Sequence, residues 1–390
     1  MENVKVKKND FIINYCFILT LMFFSSCGDL GDFSNIDLGL DFDLGDFDAT
    51  NTTTSSIWNS GFVYNKRWKV DENPRMIADV NGDGKGDVIA FGDNDVWVSL
   101  SNGSSFYQDK IWMSGYVESQ HWRVDKHVRT VADVNGDGKA DIVAFGSNAV
   151  YVSLSTGSSF SKGRVWNDGF VYNKNWRVDE NPRMIADVNG DGKGDIIAFG
   201  DNDVWVSLSN GNSFNQDKIW ISGYVESQHW RVDKHVRTVA DVNGDGKADI
   251  VAFGSNGVYV SLSTGNKFLD GTIWNSGFVY NENWVVRSNP IINNVYDQNW
   301  EVKSHPRMIA DVNGDGNGDI VAFGDNDVWV SLSNGSSFSE DKIWVSSEYV
   351  ESQGWRGYKN PRMSSDVDGD GKADIVAFGD NDVWVTKSEF

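Results

Sequence analysis

The stretch Asp79-Val80-Asn81-Gly82-Asp83-Gly84-Lys85-Gly86-Asp87 sets side-chain oxygens at its first, third, fifth and ninth positions and a glycine at its sixth. Its opening D-V-N-G-D-G begins again at Asp133, Asp187, Asp241 and Asp311, and a D-V-D-G-D-G variant begins at Asp366. The first four copies are spaced 54 residues apart, and steps of 70 and 55 follow. A fixed period of this length marks a repeat architecture, in which each unit buries its apolar face against its neighbours. The long step contains a 16-residue tandem copy: Tyr280, Trp284 and Pro290 return as Tyr296, Trp300 and Pro306. A higher period overlies the first, because residues 61–160 and 169–268 differ at only nine positions.

Working outward from the quoted stretch, each unit reads as four short strands. In the first they are Arg75–Val80, Asp87–Phe91, Asp95–Leu100 and an outer one around Lys110–Trp112. Alternation such as Val96-Trp97-Val98 and β-branched runs such as Ile250-Val251 suit packed sheets. Four strands per unit, repeated radially, predict an all-β chain folded as a β-propeller. The ends supply the blade count. The last unit stops after its third strand, Asp382–Val385, and the missing outer strand resembles Ser56-Ile57-Trp58-Asn59-Ser60. Outer-strand tryptophans Trp58, Trp112, Trp166, Trp220, Trp274 and Trp344 match six third strands. The expectation is therefore a six-bladed β-propeller with four-stranded blades, its ring closed by the N-terminal strand.

Hard oxygen donors at alternating positions, with a glycine turn, are what calcium requires. The expected ligands are Asp79, Asn81, Asp83 and Asp87, and in register Asp133, Asn135, Asp137 and Asp141. The same positions recur as Asp187, Asn189, Asp191 and Asp195, then Asp241, Asn243, Asp245 and Asp249. The last two loops give Asp311, Asn313, Asp315 and Asp319, and Asp366, Asp368, Asp370 and Asp374. An Asp/Asn/Gly hairpin without metal is the alternative for one copy, and six copies weigh against it. No glutamate stands at position 12 and no helix pattern flanks the loops, which excludes a helix-loop-helix sensor.

The chain has 390 residues, 34 Lys+Arg and 56 Asp+Glu, for a formal charge of −22. That balance excludes a nucleic-acid binder, which needs a basic face, and six calcium ions would offset about half of it. Residues 1–26 read as a signal peptide of lipoprotein type: Lys5, Lys7 and Lys8, an apolar run Phe11–Phe24, then Ser25-Ser26-Cys27. Small residues before a cysteine resemble the bacterial lipobox, with Phe24 as a departure, so Cys27 is the expected lipidation site. Cleavage without lipid and an uncleaved anchor are the alternatives. Residues 27–55, with seven aspartates and no basic residue, read as an acidic tether or a surface-sorting signal. Residues 56–390 form the propeller. The expected location is the cell surface or outer membrane, as an exported lipoprotein, or the medium as a secreted protein; the membrane is reached only through a lipid anchor.

The unit Trp122-Arg123-Val124 … Ala132-Asp133-Val134-Asn135-Gly136-Asp137-Gly138-Lys139-Ala140-Asp141-Ile142-Val143-Ala144-Phe145-Gly146 resembles the FG-GAP/VCBS repeat. With His305-Pro306-Arg307 it is similar, more narrowly, to the Psathyrella velutina lectin family. The resemblance covers residues 56–390. It implies a calcium-loaded propeller that binds N-acetylglucosamine and sialylated glycans in pockets between blades, although those lectins have seven blades and this sequence counts six. FG-GAP repeats of integrins, whose propeller binds protein, give the alternative of an adhesion propeller with a surface-protein partner. A non-catalytic module of a polysaccharide-degrading system is a further alternative.

If the calcium loop joins strands one and two, the turn between strands two and three and the connector between blades emerge on the opposite face. The turns bring Asn94, Asn148, Asn202, Asn256, Asn326 and Asn381. The connectors bring Trp68, Trp122, Trp176, Trp230, Trp300 and Trp355, followed by Arg75, Arg129, Arg183, Arg237, Arg307 and Arg362. An aromatic face beside amide and guanidinium donors suits a sugar ring. The competing reading wedges the tryptophans between blades and pairs the arginines with carboxylates. Trp97, Trp205, Trp329 and Trp384 alternate with valines and read as core. The histidines read as ordinary loop residues, no catalytic constellation stands out, and the expected role is binding rather than catalysis.

Overall fold

In every unit the apolar run after the Asp-rich loop carries no polar side chain between its Asp and its Phe, and it becomes a strand buried on both faces: Asp87–Phe91, Asp141–Phe145, Asp195–Phe199, Asp249–Phe253, Asp319–Phe323 and Asp374–Phe378. The computed structural model describes residues 54–280 and 299–390. The expected signal peptide, Cys27, most of the tether, and Trp284, Pro290 and Tyr296 of the insertion lie outside the described residues.

The described strands form six four-stranded antiparallel sheets. Blade 1 runs Arg75–Ala78, Asp87–Phe91, Val96–Ser101 and Phe106–Met113, with Arg75 opposite Ala90 and Val88 opposite Ser99. First strands end at Ala78 instead of Val80, because the Asp79 side chain turns the backbone out of the ladder by accepting loop N–H groups. Helical structure among the described residues is limited to single 3₁₀ turns in the connectors, such as Glu118–Gln120.

The last sheet is completed from the other end of the chain. Strand Ser56–Asn59 pairs antiparallel with Val383–Thr386, Ser56 opposite Val385 and Ile57 opposite Trp384. The first strands of successive blades touch in an unbroken cycle that returns from blade 6 to blade 1. The fold is thus the expected six-bladed propeller. Its apolar core is divided among the blade interfaces: Ile89, Phe91, Val96 and Val98 of blade 1 pack with Ile142 and Ala144 of blade 2. Burying each such large side chain stabilises the ring by about 1.5–3 kcal/mol. The outer-strand tryptophans seal the joints, as where Trp112 meets Phe160 with ring centroids 5.3 Å apart.

Candidate functional site

One face of the ring carries the Asp-rich loops. Asp79 Oδ1 accepts from the Gly82 N–H at 2.6 Å and its Oδ2 from Gly84 at 2.7 Å. Asn81 Oδ1 accepts from Asp83 at 2.8 Å. Gly82 and Gly84 sit at φ +80° and +83°, a left-handed conformation that glycine adopts without a Cβ penalty. Asp87, fully buried, accepts from Val80 and Ser101 N–H groups at 3.1 and 2.8 Å and so ties the loop to the third strand. Burial pushes its carboxyl up to about 7, opposed by those two hydrogen bonds and reinforced by Asp83 and Asp79. Asp141, Asp195, Asp249, Asp319 and Asp374 are raised to about 7 by the same burial. A carboxylate offers about four lone-pair sites, so these bonds leave acceptor capacity over. In the sixth loop carboxylate oxygens of Asp366, Asp368 and Asp374 lie within 4.8 Å of one another. Lys85, Lys139, Lys193 and Lys247 each pair with the fifth-position aspartate of their own loop at 3.0–3.3 Å, whereas the fifth loop has Asn317 there.

The opposite face gathers the turns and connectors. Asn94, Asn148, Asn202, Asn256, Asn326 and Asn381 are all exposed at the turns. Trp68, Trp122, Trp176, Trp230 and Trp355 are half-buried beside them, and Trp300 is buried. A cavity of about 460 Å³ opens at blade 2 between the Trp122 connector, the Asn148 turn and the outer-strand end at Met113. Trp122 is held edge-to-face by Tyr116 at 5.0 Å and by Tyr151 at 6.1 Å. A second cavity, of about 510 Å³, lies at the equivalent place on blade 4 beside Trp230, Asn256 and Tyr259.

The arginines do not line these cavities. Arg75, Arg129, Arg183, Arg237, Arg307 and Arg362 are buried between blades. Arg129 lies over the Phe91 ring of the preceding blade, 5.5 Å from its centroid, and donates to the Tyr116 carbonyl. Arg75, Arg183, Arg237, Arg307 and Arg362 repeat this over Phe378, Phe145, Phe199, Phe253 and Phe323. They too donate to backbone carbonyls and not to carboxylates. Burial lowers the guanidinium pKa to about 10 at Arg129. Placement at the start of an innermost strand sends the side chain sideways into the neighbouring blade.

Trp97, Trp205, Trp329 and Trp384 are half-buried and pack against the edge of the apolar core. Trp97 stands with Trp68 against Gly92, where an added Cβ would lie 3.4 and 3.3 Å from the two rings. In blades 2 and 4 the third-strand aromatic is Tyr151 or Tyr259. The histidines are also more than loop residues. His127 Nδ1 accepts from the Arg123 N–H, and Nε2 meets Ser147 Oγ at 2.9 Å; His235 does the same with Arg231 and Ser255. Burial, then Arg237, Lys234 and Arg307, pushes His235 down to about 4, and burial lowers His127 too. The sequence reading took these histidines for ordinary loop residues and did not single out Tyr116; the signal was the departure of units 2 and 4 from units 1 and 3.

A family model, the FG-GAP-like repeat, matches residues 79–144. The class defined by fold and repeat is therefore the FG-GAP-repeat β-propeller. A solved lectin from Agrocybe aegerita, described as specifically recognising non-reducing terminal N-acetylglucosamine, is 34% identical over 84% of this chain and 83% of its own, with a TM-score of 0.65. The chain belongs to the Psathyrella velutina lectin family of such propellers. A Photorhabdus luminescens Tc holotoxin pore shares the fold alone, at 16% identity over 85% of this chain and 14% of its own and a TM-score of 0.56. Comparison with curated proteins returns no match.

Proposed function

We propose that the chain is a multivalent carbohydrate-binding protein of lectin type, without catalytic activity, directed at glycans that end in N-acetylglucosamine. The observation that carries this reading is the likeness, over most of both chains, to a lectin described as recognising that sugar. The cavity at Trp122 supports it chemically: an indole and the Tyr151 phenol offer an apolar face for sugar C–H groups, and Asn148, Ser147 and His121 offer hydrogen-bonding groups at its edge.

Calcium in the six Asp-rich loops belongs to the same proposal. The donor set is all hard oxygen, and burial disfavours the charged form of the Asp87-type carboxyls, a form that a divalent ion beside them would stabilise. Its role would be structural, on the face away from the sugar. Export and anchoring through a lipidated Cys27 complete the reading, and Cys27→Ala is expected to release the protein from the membrane fraction.

A glycan array probed with the calcium-loaded protein tests the function. Selective binding to terminal N-acetylglucosamine, competed by the free sugar and weakened by paired Trp122→Ala and Trp230→Ala changes, is expected. A silent array with a protein partner recovered at the cell surface would decide for an adhesion propeller.

A further inference from the structure

Six units do not give six equal clefts. In blades 1, 3 and 5 the aspartate two residues before the outer-strand Ile-Trp pair reaches across the rim of the cleft. Asn59 Nδ2 donates to Asp109 Oδ1 at 3.1 Å, and Asn167–Asp217 and Asn275–Asp341 repeat the bond at 3.0 Å. The second carboxylate oxygen lies over Gly61, Gly169 or Gly277, where an added Cβ would meet it and displace the carboxylate. In blade 6 the rim is crossed from the other side, by Glu348 bonded to Ser55 Oγ.

Blades 2 and 4 lack the crossing. Gly163 and Gly271 stand where Asp109 stands, and Met113 and Ile221 where Asn59 stands. The change is compensated inside the blade. Ser99 receives the Asn59 amide at 3.3 Å, whereas Ser153 and Ser261 meet the Tyr116 and Tyr224 hydroxyls at 2.9 and 2.7 Å. Blades 1, 3 and 5 have Phe62, Phe170 and Phe278 at that position. The glycine is required, because a Cβ at 163 or 271 would overlap the phenol oxygen. Over Gly115 the space that Asp109 fills in blade 1 holds the flexible end of Met113, whose Cε would lie 2.9 Å from an added Cβ, and over Gly223 an added Cβ would meet Gln228 Oε1 at 3.9 Å. The turns differ in the same sense, Asp93, Asp201, Asp325 and Asp380 against Ser147 and Ser255. Among the described residues no carboxylate lines either cavity of blades 2 and 4.

We infer that sugar binding resides in two clefts of the six, those at Trp122/Tyr151 and Trp230/Tyr259, and that the other four are closed by their own carboxylates. The inference rests on the carbohydrate-binding reading and narrows it: the protein is bivalent, its two sites supplied by the duplicated 108-residue pair of units.

Calorimetric titration of the full calcium-loaded chain with N-acetylglucosamine tests this. The expected stoichiometry is two. Met113→Asn, Tyr116→Phe and Gly163→Asp together copy the closed rim of blade 1 into blade 2 with residues the fold already accepts, and should lower the stoichiometry to one at unchanged affinity. The reverse set, Asn59→Met, Phe62→Tyr and Asp109→Gly, should raise it to three. A wild-type stoichiometry of three or more, or a closed-rim variant that still binds two, overturns the two-cleft assignment while leaving the lectin reading intact. Absence of binding by any sugar removes both.

Discussion

Arg129 donates from Nη1 to the carbonyl of Tyr116 at 2.9 Å, and Tyr116 holds φ at +56°. The same bond joins Arg75 to Phe62, Arg183 to Phe170, Arg237 to Tyr224, Arg307 to Phe278 and Arg362 to Tyr349, each aromatic residue having positive φ. A bulky residue in that region costs about 1–3 kcal/mol and persists only where its surroundings over-determine it. Each arginine therefore fixes the strained corner at which the chain passes from one blade to the next.

Replacing Arg129 with Ala removes that bond and the packing of its stem over Phe91. The expected loss is about 2–4 kcal/mol in urea unfolding. Arg129→Met retains the stem and should recover part of it. Equal stability of the Ala variant and wild type would show that the corner holds without the arginine.

Stability should depend on His235 and His127. An unfolded histidine titrates near 6.5, and the folded His235 near 4, so the folded state binds fewer protons. This contribution is complete above about pH 6.5 and is lost as the pH falls toward 4. Blades 1, 3 and 6 place Asn73, Asn181 and Asn360 at this position. The double variant His127→Asn, His235→Asn should show a smaller fall in melting temperature between pH 7 and 5 than the wild type. Parallel curves would refute the assignment.

Calcium removal gives a third test. At a tenfold excess over its dissociation constant each loop would gain roughly 1.4 kcal/mol, so six approach 8 kcal/mol. A chelator should lower the melting temperature by roughly 10–20 °C, restored by calcium and not by potassium. A melt indifferent to chelator would mean that the loops are bare turns.

Ring closure can be tested at Trp58, which is buried against Phe106 with centroids 5.3 Å apart. Trp58→Ala should cost about 3–5 kcal/mol, comparable with Trp112→Ala inside a continuous blade. A loss below about 1 kcal/mol would mean that the closing strand contributes little.

The fold was legible because it depends on spacing: the Asp79-type loops fix the period, and Ile57-Trp58 repeats the outer-strand signature of Ile111-Trp112. The turn asparagines and connector tryptophans were placed on the correct face by counting strands. Arg75 was not, because in a sheet packed on both faces alternation does not say which neighbour a side chain enters. The distinction between Asp109 and Gly163 lay in the sequence, but its meaning required seeing that both stand at a cleft rim.

The pairing of Ser56 with Val385 also sets a timetable. At about 5–20 residues per second on the ribosome, the first strand waits roughly 16–66 s for its partner. During that interval it is a free apolar ribbon, while blades stack behind it one by one. Neighbouring nascent chains on one message carry the same ribbon and will soon offer the same slot, so exchange between them would yield a dimer with every native contact satisfied. What favours the single ring is tethering: a chain's own strand is present at high effective concentration when its slot appears. Tethering thus favours the single ring, and a high concentration of open chains would favour the exchanged pair.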